Sequence, residues 1–204
     1  MGFKNTLGSM RKQGRNLVLP VKKIKNILIN NLQEDDIHII DLGAGTLFWS
    51  EIMTEHCPGT FTVYAIDVIF DEKTIEYKNG KIMLFKTLDD VFKIQQKFDL
   101  VFICDVIHHL ENDIWDSILN SLMSKTDTFI IKDIDANKKF GNKMNKLHDK
   151  IINKEDIVDV FPNVIQSKLN KSGFKILEVK SIPKLWYPHF LLTAKKEVDN
   201  VKSS

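Results

Sequence analysis

Ile37-His38-Ile39-Ile40-Asp41-Leu42-Gly43-Ala44-Gly45 decides the reading of this chain. A short apolar run predicts a buried strand over Ile37–Leu42, and two glycines one residue apart predict a tight turn at its end. Glycine has no Cβ, so such a turn lets backbone N–H groups approach a ligand closely. A helix is expected next, over Leu47–His56, with Phe48, Trp49, Ile52 and Met53 on one face and Cys57-Pro58-Gly59 as its stop.

Working outward, the same alternation repeats. Phe61–Ile66 reads as a second strand, closed by Asp67, which lies 24 residues after Gly43. An acid there can accept hydrogen bonds from both ribose hydroxyls of an adenosine-containing cofactor. Lys81–Phe85 reads as a third strand and the apolar run Phe98–Cys104 as a central fourth. A helix follows over Asn112–Met123, then a fifth strand over Thr128–Ile131 that runs into Lys132-Asp133-Ile134-Asp135. Upstream, Val21, Ile24, Leu28 and Leu32 recur at helical spacing behind Pro20. Downstream, helices are expected around Met144–Ile152 and within Glu155–Ser172, ended by Gly173. Two last strands, Phe174–Ser181 and Leu185–Lys195, join through a turn at Pro183. Strands alternating with helices predict an α/β fold: a Rossmann-like, doubly wound, mostly parallel seven-stranded sheet whose seventh strand is antiparallel.

The 204 residues suit one domain, expected over 1–196, with 1–33 as an N-terminal helical segment. Residues 136–172 are expected to form a helical insertion that, with the N-terminal segment, covers the substrate, and 197–204 a flexible tail. Hydrophobic residues make up 43% and charged residues 27%, which excludes a disordered chain. Lys+Arg 29 against Asp+Glu 27 leaves +2, too little for a dedicated nucleic-acid binder. Two cysteines, Cys57 and Cys104, cannot build a disulfide framework, so a cytoplasmic setting is expected. No apolar run approaches the roughly 20 residues that span a bilayer.

Asp41-x-Gly43-x-Gly45, Asp67 and the segment Phe98-Asp99-Leu100-Val101-Phe102-Ile103-Cys104-Asp105-Val106-Ile107-His108-His109-Leu110 together resemble the class I S-adenosylmethionine-dependent methyltransferases. The resemblance spans roughly residues 20–195. It implies S-adenosylmethionine as cofactor, with Asp41, Gly43, Gly45, Asp67, Asp89 and Asp105 at its site. The family usually carries a third glycine where this chain has Leu47, and that side chain is expected to narrow the space beside the methionine carboxylate. A nicotinamide-binding enzyme fits less well, because Phe48 stands where that motif needs a glycine for close helix–strand packing.

Methyl transfer needs in-line positioning and, for a hydroxyl acceptor, a base. His108 is the first candidate, with Asp133 and Asp135 set by strand alternation on one side. His109, His148, Tyr187 and His189 are candidate substrate contacts. Asp133, Asp135, His148 and Asp149 have ligand-type side chains, but their spacing matches no metal motif, so none is expected. No Asp/Asn-Pro-Pro-Tyr/Phe follows the fourth strand, which disfavours amide or amino-adenine methylation in the family's usual style. Cys104, inside an apolar strand, reads as an inert thiol. The expected acceptor is a hydroxyl of a small or saccharide-like molecule. The alternatives are an RNA substrate, drawn by Lys138, Lys139, Lys143, Lys146 and Lys150, and a non-catalytic module that only binds S-adenosylmethionine.

Overall fold

The computed structural model describes residues 19–32, 35–148, 150 and 156–197. Eight strands form one sheet: β1 Ile37–Leu42, β2 Phe61–Ile66, β3 Lys73–Tyr77, β4 Gly80–Phe85, β5 Leu100–Cys104, β6 Thr128–Ile134, β7 Phe174–Ser181 and β8 His189–Lys196. Their spatial order is β3-β4-β2-β1-β5-β6-β8-β7. Strands β4, β2, β1, β5 and β6 run parallel, and β8 returns antiparallel between β6 and β7. The expected doubly wound, mostly parallel sheet is therefore present, with one further edge strand. That strand, β3, pairs antiparallel with β4 and is almost wholly exposed.

Six helices flank the sheet among the described residues: α1 Val21–Asn30, α2 Phe48–His56, α3 Leu88–Ile94, α4 Asn112–Met123, α5 Lys139–His148 and α6 Pro162–Lys171. Strand alternation sorts the apolar side chains into two cores. Ile40, Leu42, Tyr64, Val101, Ile103 and Phe129 face one way, onto α4 through Trp115, Leu119 and Leu122 and onto α6 through Ile165 and Leu169. Ile37, Ile39, Val63, Phe102 and Ile130 face the other way, onto Ile24 and Leu28 of α1 and Met53 of α2. Burial of apolar surface on both faces is what holds the sheet between its helices.

Two expectations change here. The described part of the N-terminal segment, α1, packs Ile24 and Leu28 against the sheet and supplies no lining residue to the cavity described below. Nor is the whole of 136–172 an insertion. Helix α6 is the crossover between β6 and β7, and its Ile165 and Leu169 are core side chains. Residues 1–18 and most of the C-terminal tail lie outside the described residues, as does Asp149.

Strand β6 runs three residues further than its apolar run suggests. Strand β8 pairs with it as far as Asp133↔Phe190 and Ile134↔His189. This extension carries Lys132 and Asp133 into the protein interior, where each has no exposed surface.

Candidate cofactor and substrate site

In an open parallel sheet, ligands bind beyond the carboxyl ends of the strands. Here that edge carries the 43–47 turn after β1, Asp67 after β2, residues 86–89 after β4 and residues 105–110 after β5. A cavity of about 620 Å³ opens there, lined by Gly43, Asp67, Asp89, Asp105 and His109 of the expected residues. Val68, Thr87, Leu88, Val106, Leu110 and Ile118 also line it and were not singled out from sequence. Their common signal is position: most stand just beyond a strand's carboxyl end. Ile118, on α4, had no such signal.

The turn after β1 is built by backbone conformation. Gly43 has φ +71°, and both Gly43 and Ala44 donate their N–H groups to the Ile66 carbonyl, at 2.8 and 3.1 Å. A Cβ on Gly43 would lie 2.2 Å from Val106 Cγ2. A Gly43→Ala variant thus meets both left-handed strain and overlap. We expect a loss of roughly 3 kcal/mol, a fall of roughly 10 °C in melting temperature, checked by thermal denaturation. Gly45 donates its N–H to Asp67 Oδ2 at 2.9 Å, and Ile69 donates to Oδ1 at 3.2 Å. Asp67 is thereby fixed at the cavity wall, with a remaining lone pair on each oxygen for a ligand.

Asp41 does not reach the cavity. Its carboxylate is 1% exposed and accepts the Ser50 hydroxyl at 2.6 Å, which ties β1 to α2 beneath the turn. It is a positioning residue for the glycine turn. Leu47 also behaves differently from expectation. Its backbone has φ +60°, the conformation a glycine would take without strain, but its side chain packs against the α1–α2 core and does not line the cavity. The space beside Gly43 is not narrowed, and the sequence support for a non-catalytic module falls with it.

The candidate bases are rearranged more deeply. Asp133 accepts the Ile107 N–H on Oδ2 at 2.9 Å, and the Ile134 N–H on Oδ1 at 2.7 Å. His108 Nδ1 lies 2.5 Å from the same Oδ1. Burial alone would lower the His108 pKa. The charge and hydrogen bond of Asp133, with the charge of Asp105, outweigh that against Lys132 and raise it to about 9. The shift favours the imidazolium paired with Asp133, and the buried His108 ring lines no part of the cavity, so it is not placed to take a proton from an acceptor there. It is corrected from catalytic base to structural cation, and Asp133 to its counter-ion. Asp135 stands past the end of β6 and accepts both the backbone and side-chain N–H of Asn137, at 3.0 and 2.9 Å. It caps a turn and does not line this cavity.

Beside this pair, the buried Lys132 ammonium donates to Asp105 Oδ1. Burial would raise the Asp105 pKa, but the charges of Lys132, His189 and His108 hold it below the usual carboxylate range. Asp105 has φ +59°, and the Lys132 contact secures that backbone where it meets the cavity. Asp105, His108 and Asp133 bring ligand atoms within 4.8 Å of one another. The imidazolium and the ammonium already balance both carboxylates, so a cation would have to displace them. Cys104 is pushed well above its ordinary thiol range by burial and the Asp105 charge, as an inert thiol requires.

Tyr187 and His189 do not face the cavity. They are 4% and 3% exposed and their rings stack at 5.7 Å, while the neighbouring Trp186 is 47% exposed. Tyr187, expected to reach the substrate, is instead turned inward by the hairpin, and Trp186 is turned outward. His148 ends α5, and its side chain lies outside those described. Among the candidate substrate contacts whose side chains are described, His109 is the one exposed on the cavity.

No protein-family model matches the chain, and no curated protein sequence does. Solved structures do. Magnesium protoporphyrin IX methyltransferase from Synechocystis, with S-adenosylhomocysteine bound, superposes with a TM-score of 0.63 at 17% identity, over 86% of this chain and 83% of that one. An S-adenosylmethionine-dependent methyltransferase from Archaeoglobus fulgidus gives 0.64 at 15%, over 86% and 94%. The 1,6-didemethyltoxoflavin-N1-methyltransferase of Burkholderia thailandensis gives 0.61 at 14%, over 95% and 87%. The chain therefore has the fold of the class I S-adenosylmethionine-dependent methyltransferases.

Proposed function

We propose that this protein transfers a methyl group from S-adenosylmethionine to the hydroxyl of a small, largely apolar acceptor. One observation carries the reading: Gly43, Asp67, Asp89 and His109 share a single cavity. Its volume of about 620 Å³ suits a nucleoside cofactor with an acceptor beside it. Gly43, with no Cβ, lets Val106 pack against the turn at the cavity floor. Asp67 would hold the ribose hydroxyls and Asp89 the adenine side, with Val68 and Leu88 as apolar walls.

Bound S-adenosylmethionine supplies an electrophilic sulfonium methyl. The chain's own task is to orient the acceptor and receive its proton. With His108 committed to Asp133, His109 is the imidazole on the cavity, and a ring nitrogen of His109 accepts the acceptor's hydroxyl proton. Val106, Leu110 and Ile118 are apolar neighbours. They suit an aromatic or aliphatic alcohol better than a saccharide, whose hydroxyls would each need a partner.

The test is S-adenosylhomocysteine formation with a panel of phenols, aliphatic alcohols and amines. We expect turnover with a hydroxyl compound, and a His109→Ala variant whose kcat falls about 100-fold with little change in KM for S-adenosylmethionine. Turnover unaffected by His109→Ala, or confined to amines, would overturn the assignment of base and acceptor.

A further inference from the structure

The connection between β7 and β8 is a tight hairpin with an unusual tip. Lys184 and Tyr187 exchange backbone hydrogen bonds at 3.1 and 3.0 Å, leaving Leu185 and Trp186 as the two turn residues. Leu185 has φ +53°, and such positions normally carry Gly, Asn or Asp. Instead, Leu185 is 56% exposed and Trp186 47%. Two large apolar side chains are therefore held out to solvent at the cost of a strained backbone.

Helix α5 lies against this tip. A Cβ on Gly141 would be 2.6 Å from the Trp186 carbonyl oxygen and 2.8 Å from Pro188 Cδ, so the helix and hairpin backbones touch there. On either side of the contact, α5 exposes Phe140 at 77% and Leu147 at 50%. Lys138, Lys139 and Lys143 are exposed along the same segment and form no ion pair among the described residues. Of the described acids nearby, Asp159 pairs with Lys146 at 2.9 Å and Asp156 with Lys150 at 3.7 Å. The whole assembly stands at the carboxyl edge of the sheet, the edge on which the cavity opens. Val68 and Ile69, 76% and 70% exposed, stand on that edge too.

We propose that the Leu185–Trp186 tip and helix α5 form a docking surface for an anionic lipid bilayer. Apolar side chains projecting from a lysine-bearing helix match the interfacial mode, in which the rings enter the headgroup boundary and the ammonium groups meet lipid phosphates. Aliphatic Leu147 and Leu185, beside Phe140 and Trp186, offer no ring to stack on bases, which favours lipid over RNA. A second copy of the chain would set the lysines against themselves. If the methyl-transfer reading holds, docking also presents the cavity to an acceptor dissolved in the membrane.

The experiment is vesicle co-sedimentation of the full chain, with zwitterionic vesicles and with vesicles containing phosphatidylglycerol. Tryptophan emission gives a second readout, since Trp49 and Trp115 are buried and Trp186 is not. We expect binding to the anionic vesicles with a blue shift, lost in Trp186→Ser and Phe140→Ser. Lys139→Gln and Lys143→Gln should each weaken it about fivefold. S-Adenosylhomocysteine affinity should stay unchanged in all four, so failure of docking and failure of the cofactor reading are told apart. Absence of vesicle binding, binding insensitive to these variants, tighter binding to single-stranded RNA, or dimerisation through this face would each overturn the proposal.

Discussion

An Asp133→Ala variant loses about 3–5 kcal/mol of stability, the cost of leaving a buried charge without its partner. Three donors depend on this one carboxylate: the His108 ring and the Ile107 and Ile134 N–H groups. The last two are backbone groups, so the loss spreads to the start of the 107–109 turn and the end of β6. Urea denaturation checks the figure, and Asp133→Asn, which keeps one acceptor oxygen, should fall between wild type and Ala. The same pair sets a pH dependence. His108 titrates near 6.5 when unfolded and at about 9 when folded. Its contribution is complete below pH 6.5, declines as pH rises, and is gone above about 9. The span corresponds to about 3 kcal/mol. Denaturation midpoints should therefore fall between pH 6.5 and 9, and a His108→Asn variant should lose that slope. A flat profile in the wild type would show that folding does not raise the His108 pKa.

An Asp67→Ala variant binds S-adenosylhomocysteine at least a hundredfold more weakly. On the proposed reading, two charge-assisted hydrogen bonds to ribose hydroxyls would contribute about 1.5–3 kcal/mol each, and a hundredfold is about 2.7 kcal/mol. Asp67 also holds the Gly45 and Ile69 N–H groups, so part of the loss comes from a looser wall. Asp67→Asn separates the two effects. It can still accept from Gly45 but lacks the charge, and a loss of about tenfold is expected there. Calorimetric titration measures both. A thermal melt within a few degrees of wild type would show that the wall, not the fold, has changed.

The parallel core was legible because buried strands are uninterrupted apolar runs. β1 and β2 fall on their expected boundaries, Ile37–Leu42 and Phe61–Ile66, and helix α4 on Asn112–Met123. The edge strand β3 was not legible in the same way. Lys73-Thr74-Ile75-Glu76-Tyr77 buries almost nothing, and only the Asn79-Gly80 pair after it signals a hairpin. Glycines and acids at strand ends could be placed because their roles follow from backbone position. The bases could not. Whether His108 or His109 faces the cavity depends on a short turn after β5 that no periodicity describes. The fate of Asp133 depends on how far β8 pairs along β6. Sequence order likewise hid that Tyr187 points inward while Trp186 points out, because a two-residue hairpin decides it.

The central claim is that the cavity beneath Gly43 and Asp67 binds an S-adenosyl ligand. Calorimetric titration of the wild-type protein with S-adenosylhomocysteine, with NADH in a parallel cell, tests it most directly. The account predicts one site per chain with micromolar affinity for S-adenosylhomocysteine, and none for NADH at the same concentrations. A folded protein that binds neither, or that prefers NADH, would contradict it.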